Sequence, residues 1–136
     1  MTRMDHVGLN VRDLDEMTGF YRQAFGYREQ QRFTLAELDL SIAMLVDDDG
    51  RRFELLSRSH GTPGLRAATP VEAAATWGLG HVAFTVEDLA ATFGRLLTLG
   101  ATEVFDPRPS PEQGLWFAWV HDPEGNLVEL IGPEPA

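Results

Sequence analysis

Two stretches of this chain, 75 residues apart, are built to the same plan. Asp47-Asp48-Asp49-Gly50-Arg51-Arg52-Phe53-Glu54-Leu55-Leu56 and Asp122-Pro123-Glu124-Gly125-Asn126-Leu127-Val128-Glu129-Leu130-Ile131 each begin with an acidic, glycine-punctuated turn. Each then runs into strand-forming residues that surround one carboxylate, Glu54 or Glu129. A lone carboxylate in an apolar strand is costly unless it is paired or bound to a cation. Its occurrence twice, in the same phase, constrains the fold to a duplicated module.

The repeat holds from end to end. His6 matches His81, Val11 matches Val86, Asp13 matches Asp88, Leu14 matches Leu89 and Gly50 matches Gly125. Residues 4–11 alternate, with Val7, Leu9 and Val11 on one face and His6, Gly8 and Asn10 on the other. Asp13 and Glu16 read as a capping box for a helix whose apolar face is Leu14, Met17, Tyr21 and Ala24, with Gly26 as its stop. Strands are expected over 27–34, 38–46 and 51–57. The first module is therefore βαβββ over about 4–57. After a connector (58–79) with a short helix expected near Ala73-Ala74-Ala75, the order restarts over about 80–132. Val82, Phe84 and Val86 alternate with His81, Ala83 and Thr85, and Asp88 caps a helix presenting Leu89, Phe93, Leu96 and Leu97. A short strand over 101–106, a proline-stiffened loop over 106–114, an aromatic strand over 115–120 and the Glu129 strand complete the copy. The fold class expected is α+β: one domain over 1–136, its two βαβββ modules in tandem forming a curled mixed sheet around a cleft.

In each module one strand face is apolar and belongs under the helix. The other carries the histidine beside small neighbours, Gly8 and Ala83, which leave room above the sheet. With no cysteine in the chain, any metal is held by His and carboxylate. His6, Glu54, His81 and Glu129 form such a donor set, suited to Zn, Ni, Co, Fe or Mn. Two neutral imidazoles and two carboxylates would offset a divalent charge. The formal net charge of −10 argues against nucleic acid or an anionic membrane as partner. No apolar run reaches the length of a membrane span. An N-terminus carrying Asp5 and His6 lacks the signal-peptide pattern, so a cytoplasmic location is expected.

Asp5-His6-Val7-Gly8-Leu9-Asn10-Val11 with Asp13-Leu14 and Phe20-Tyr21, Gly80-His81-Val82-Ala83-Phe84, and Asp122-Pro123-Glu124-Gly125-Asn126 with Glu129-Leu130 resemble the vicinal oxygen chelate superfamily. That superfamily includes glyoxalase I, bleomycin-resistance proteins and extradiol dioxygenases. The resemblance implies paired βαβββ modules curling around a metal ion. It also implies that His6, Glu54, His81 and Glu129 are the four metal ligands of the glyoxalase I branch. The expected activity is that of a lyase or isomerase in which Glu129 or Glu54, with Glu129 favoured, takes a proton from the carbon beside a metal-chelated carbonyl. The substrate would be a small molecule with two vicinal oxygens, and the assembly a homodimer. A methylmalonyl-CoA epimerase-like enzyme, a ring-cleaving dioxygenase and a bleomycin-resistance-type binding protein are the alternatives. The chain departs from the glyoxalase I pattern at Asn10, where that branch has an Arg for a glutathione carboxylate, and at Arg58, where it has a glutathione-contacting Asn.

Other candidates read more simply. His60 and His121 are expected at the surface, and Trp77, Trp116, Phe117 and Trp119 mostly in the core. Arg32, Arg51, Arg52, Arg58 and Arg108 are candidates to hold a substrate anion.

Overall fold

The structure, a computed structural model, describes residues 1–136. It contains two compact units, Met1–Thr62 and Pro63–Ala136. Each is a βαβββ module with its own four-stranded mixed sheet.

In the first unit the elements are β1 (His6–Asn10), α1 (Leu14–Phe25), β2 (Arg28–Leu35), β3 (Leu40–Val46) and β4 (Arg52–Ser57), with a single 3₁₀ turn at Ala36–Leu38. The strand order is β1-β4-β3-β2, with β1 parallel to β4 and the remaining pairs antiparallel. Asp13 caps α1 by accepting a hydrogen bond from the Glu16 amide at 2.9 Å. Gly26 ends the helix in the left-handed conformation that glycine adopts without a Cβ penalty. The helix packs on β3 and β4. Tyr21 meets Phe53 edge-on, with ring centroids 4.9 Å apart. Side chains alternate along a strand, so seating Phe53 and Leu55 under the helix turns Glu54 to the opposite face. Thr18 is buried within this packing, and its hydroxyl has no hydrogen-bond partner. Such a hydroxyl costs about 1–3 kcal/mol, so Thr18→Val, which keeps the branched shape, is expected to raise the melting temperature. Calorimetry showing no gain would mean that the hydroxyl is satisfied in solution.

The second unit contains α2 (Pro70–Ala73), β5 (Val82–Thr85), α3 (Leu89–Thr98), β6 (Thr102–Pro109), β7 (Trp116–His121) and β8 (Leu127–Gly132). The strand order β5-β8-β7-β6 repeats that of the first sheet. Asp88 caps α3 through the Ala91 amide at 2.9 Å. The helix packs on β6, β7 and β8, burying Leu89, Phe93 and Leu96. Leu97, expected on that face, is about one-third exposed.

Several expectations are corrected. The short helix starts three residues earlier than the alanine run, because Thr69 caps it through the Glu72 amide, Pro70 opens it, and Glu72 accepts from the Ala68 amide. The segment 106–114 is not one loop, since β6 continues through Pro107 to Pro109. It can do so because β6 is an edge strand with register shifts, where a missing N–H costs no ladder bond. Trp77, expected in the core, is 98% exposed. The connector is not a bare spacer in its second half. Ala67 and Ala73 form a buried cluster with Trp119 and Leu127.

Candidate functional site

Parallel pairing of β1 with β4 sets Gly8 opposite Glu54 and His6 opposite Arg52. In the second unit the equivalent pairing sets Ala83 opposite Glu129. The duplicated turns deliver both glutamates in the same way. Asp47 Oδ1 accepts the amides of Asp49 and Arg51, and Asp122 Oδ1 accepts those of Glu124 and Asn126. Gly50 and Gly125 stand at φ 81° and 87°, where a Cβ would be strained.

The result is the same pair on each sheet face that lies away from the helix. His6 Nε2 lies 3.6 Å from Glu54 Oε1, and His81 Nε2 lies 3.3 Å from Glu129 Oε2. Both carboxylates are largely shielded, at 18% and 19% side-chain exposure, and neither forms an ion pair with Lys or Arg. Burial pushes the Glu129 carboxyl above its ordinary range, against the opposing pull of His81. Within each unit the structure holds one such pair, and no group of three or more His, Cys, Asp or Glu arranged to hold a metal ion is found. Each pair suits a divalent cation chemically. An imidazole nitrogen and a carboxylate oxygen converge, and the carboxylate lacks the cation that a shielded charge calls for.

Room above Glu54 depends on Gly8, where an added methyl would come within 3.4 Å of Glu54 Oε1 and the Leu56 side chain. The matching position is Ala83, so Gly8→Ala should be tolerated. Gly8→Val is expected to displace Glu54 and to weaken the cation binding proposed below by about tenfold in calorimetric titration, with little change in melting temperature. Equal affinity in both variants would show that this space is not needed.

The two pairs differ in their surroundings, and residue types alone did not reveal this. His6 Nδ1 lies 2.7 Å from Asp5 Oδ2, which also accepts from Arg52 at 2.9 Å, and Arg52 Nε donates to Gln30 at 3.1 Å. The hydrogen bond from His6 holds the Asp5 carboxyl below its usual range, and Arg52 adds to the effect. His81 instead meets Trp119 edge-on, with ring centroids 4.6 Å apart. The other histidines lie apart from the pairs. His60 is exposed, 3.5 Å from Asp39 in a surface cluster with Ser59. His121 is half-buried rather than at the surface, its Nε2 bonded to the Ala67 carbonyl at 2.8 Å.

The five arginines also separate. Arg32 is tied to Asp15 and Glu29, Arg51 to the Asp47–Asp49 turn, and Arg58 to Asp39. Arg52 is held by Asp5 and Gln30. Arg108 pairs with Asp106 and lies over the Phe105 ring, 4.8 Å from its centroid.

A duplicated βαβββ chain that sets an imidazole against a carboxylate on the open face of each sheet is, by fold and site, a paired-module α+β protein. The chain belongs to the Glyoxalase/Bleomycin resistance protein/Dioxygenase superfamily, whose family model matches residues 3–130. It is 27% identical over 149 residues to a lactoylglutathione lyase of Pseudomonas putida, covering 96% of this chain and 85% of that one. A probable lactoylglutathione lyase of Vibrio cholerae is 28% identical over 138 residues, covering 95% and 89%. Among solved structures, a glyoxalase family protein from Bacillus cereus superposes with a TM-score of 0.80 at 27% identity, covering 98% of this chain and 95% of that one.

Proposed function

We propose that this chain is a metal-dependent lyase or isomerase of glyoxalase I type, with His6, Glu54, His81 and Glu129 holding one divalent transition cation. The observation that carries this reading is the His–Glu pair repeated on the open face of both modules. A pair is half of a four-donor set, and the assembly proposed to complete it is a homodimer. When bound, the cation supplies a Lewis acid that polarises a substrate carbonyl and its neighbouring oxygen.

The protein's own groups then divide the work. Glu129, whose carboxyl is raised above its ordinary range by burial, takes a proton on a carboxylate oxygen from the carbon beside the carbonyl and returns it to the neighbouring carbon. Trp119, opposite Glu129 across the strands and edge-on to His81, orients the imidazole beside that carboxylate. Glu54, with His6 beside it, serves mainly as ligand. The names of the relatives point to an adduct of a 2-oxoaldehyde and a thiol as substrate. With Asn10 in place of an arginine, the thiol need not be glutathione.

Elemental analysis and an assay of methylglyoxal with several thiols test the reading. One transition ion per four-donor set is expected, lost in Glu54→Gln and His81→Ala, together with thiol-dependent isomerisation. Metal-free protein whose melting temperature rises with a bulky aromatic ligand would move the chain to the binding members of the superfamily. Oxygen uptake with a catechol would move it to the dioxygenases.

A further inference from the structure

The chain was duplicated, yet only one copy backs its histidine with a carboxylate. In the first module Gln30, Arg52, Asp5 and His6 form a continuous hydrogen-bonded line ending at the imidazole that faces Glu54. The residues 75 positions later are Phe105, Leu127 and Gly80, none of which can repeat the line. His81 has the Trp119 ring beside it instead.

The consequence lies in the position of the imidazole proton. A neutral imidazole has one N–H and one bare nitrogen, and the hydrogen bond made by one nitrogen selects the other's role. His6 Nδ1 lies 2.7 Å from the Asp5 carboxylate, and because an ionised carboxylate only accepts, this contact favours the tautomer with the hydrogen on Nδ1. Nε2 is thereby left with its lone pair toward Glu54 Oε1, at 3.6 Å. His81 has no carboxylate behind it, and its Nε2 stands 3.3 Å from Glu129 Oε2, a distance that an N–H donor spans.

We infer that Asp5, held by Arg52, is a positioning residue that presets His6 in the ligand tautomer, whereas His81 rests with its proton on Nε2 against Glu129 and must shift it to Nδ1 to bind a cation. The two modules thus differ in role: the first is the preformed half of the site, and the second adapts. This rests on the proposed metal site, but its first consequence can be read without metal.

The test is long-range ¹⁵N–¹H NMR of the metal-free full chain, at a pH where both imidazoles are neutral. His6 is expected as the Nδ1–H form and His81 as the Nε2–H form. Asp5→Ala should remove the preference at His6, and Asp5→Asn, which keeps a neutral acceptor, should restore it. Gly80→Asp should convert His81 to the Nδ1–H form, since nothing lies within 4 Å of a Cβ placed there. Titration with Zn²⁺ should give about 10–100-fold weaker binding in Asp5→Ala than in wild type. His6 found as Nε2–H, or Zn²⁺ affinity unchanged in Asp5→Ala, overturns the inference. Wild-type protein that has the expected tautomers but binds no Zn²⁺ would leave the Asp5 role standing and overturn the metal-site reading instead.

Discussion

Glu129→Gln is expected to reduce kcat by about a thousandfold, the middle of the range that a positioned general base contributes. The amide keeps the shape of the side chain and the hydrogen-bonding reach to His81 but cannot accept a proton. Its effect on the fold should run the other way. The Glu129 carboxylate is shielded, its carboxyl raised by burial, and its only ionic partner is His81. Replacing it with a neutral group removes a desolvation cost. In chelator, the melting temperature of Glu129→Gln should therefore equal or exceed that of wild type. Steady-state kinetics beside calorimetry separate the two effects. Glu54→Gln, measured in parallel, should lose cation affinity first, because Glu54 is proposed as ligand rather than base. Turnover within tenfold of wild type in Glu129→Gln would remove that residue from the chemistry.

Asp122→Ala is expected to be the most destabilising single substitution at the duplicated turns. The Asp122 side chain is 2% exposed. Its Oδ1 accepts from the amides of Glu124 and Asn126, both at 2.9 Å, and its Oδ2 accepts from the Asn126 side chain at 2.9 Å. Alanine would leave two backbone amides and a side-chain amide without this acceptor in a half-buried turn. At about 1–3 kcal/mol for each group left unsatisfied, the loss should be about 3–4 kcal/mol. For a chain of this size that lowers the melting temperature by about 10 °C. Asp47→Ala removes the same pattern in the first module, but the Asp47 side chain is 21% exposed and water can replace it there. Its loss should be about half as large. Equal losses in thermal unfolding would show that burial does not set the difference.

Local pattern carried a large part of the structure. The 75-residue repeat, the Asp13 and Asp88 caps, the Gly26 stop and the alternation of His6 and His81 against apolar neighbours were all readable from residue order. Each expresses a preference that acts within a few residues: side-chain period, cap geometry or glycine freedom. Where longer-range partners decide, that reading went astray. Pro107 and Pro109 read as loop until the edge position of β6 removed the need for their N–H groups. Trp77 read as core, yet it is exposed in the connector while Ala67 and Ala73 pack on Trp119.

The sequence by itself determined that the chain is a duplicated α+β module and that each copy offers one imidazole and one carboxylate on the face away from its helix. Tertiary structure alone decided that each imidazole meets its own module's glutamate. The pairing of β1 with β4 joins residues nearly fifty positions apart, and its register is set by the packing of the whole sheet under the helix. It also decided that Asp5 and Arg52 meet behind His6 while Trp119 meets His81. The duplicated backbone holds both pairs in one geometry, and non-repeated side chains brought from distant strands make their surroundings different.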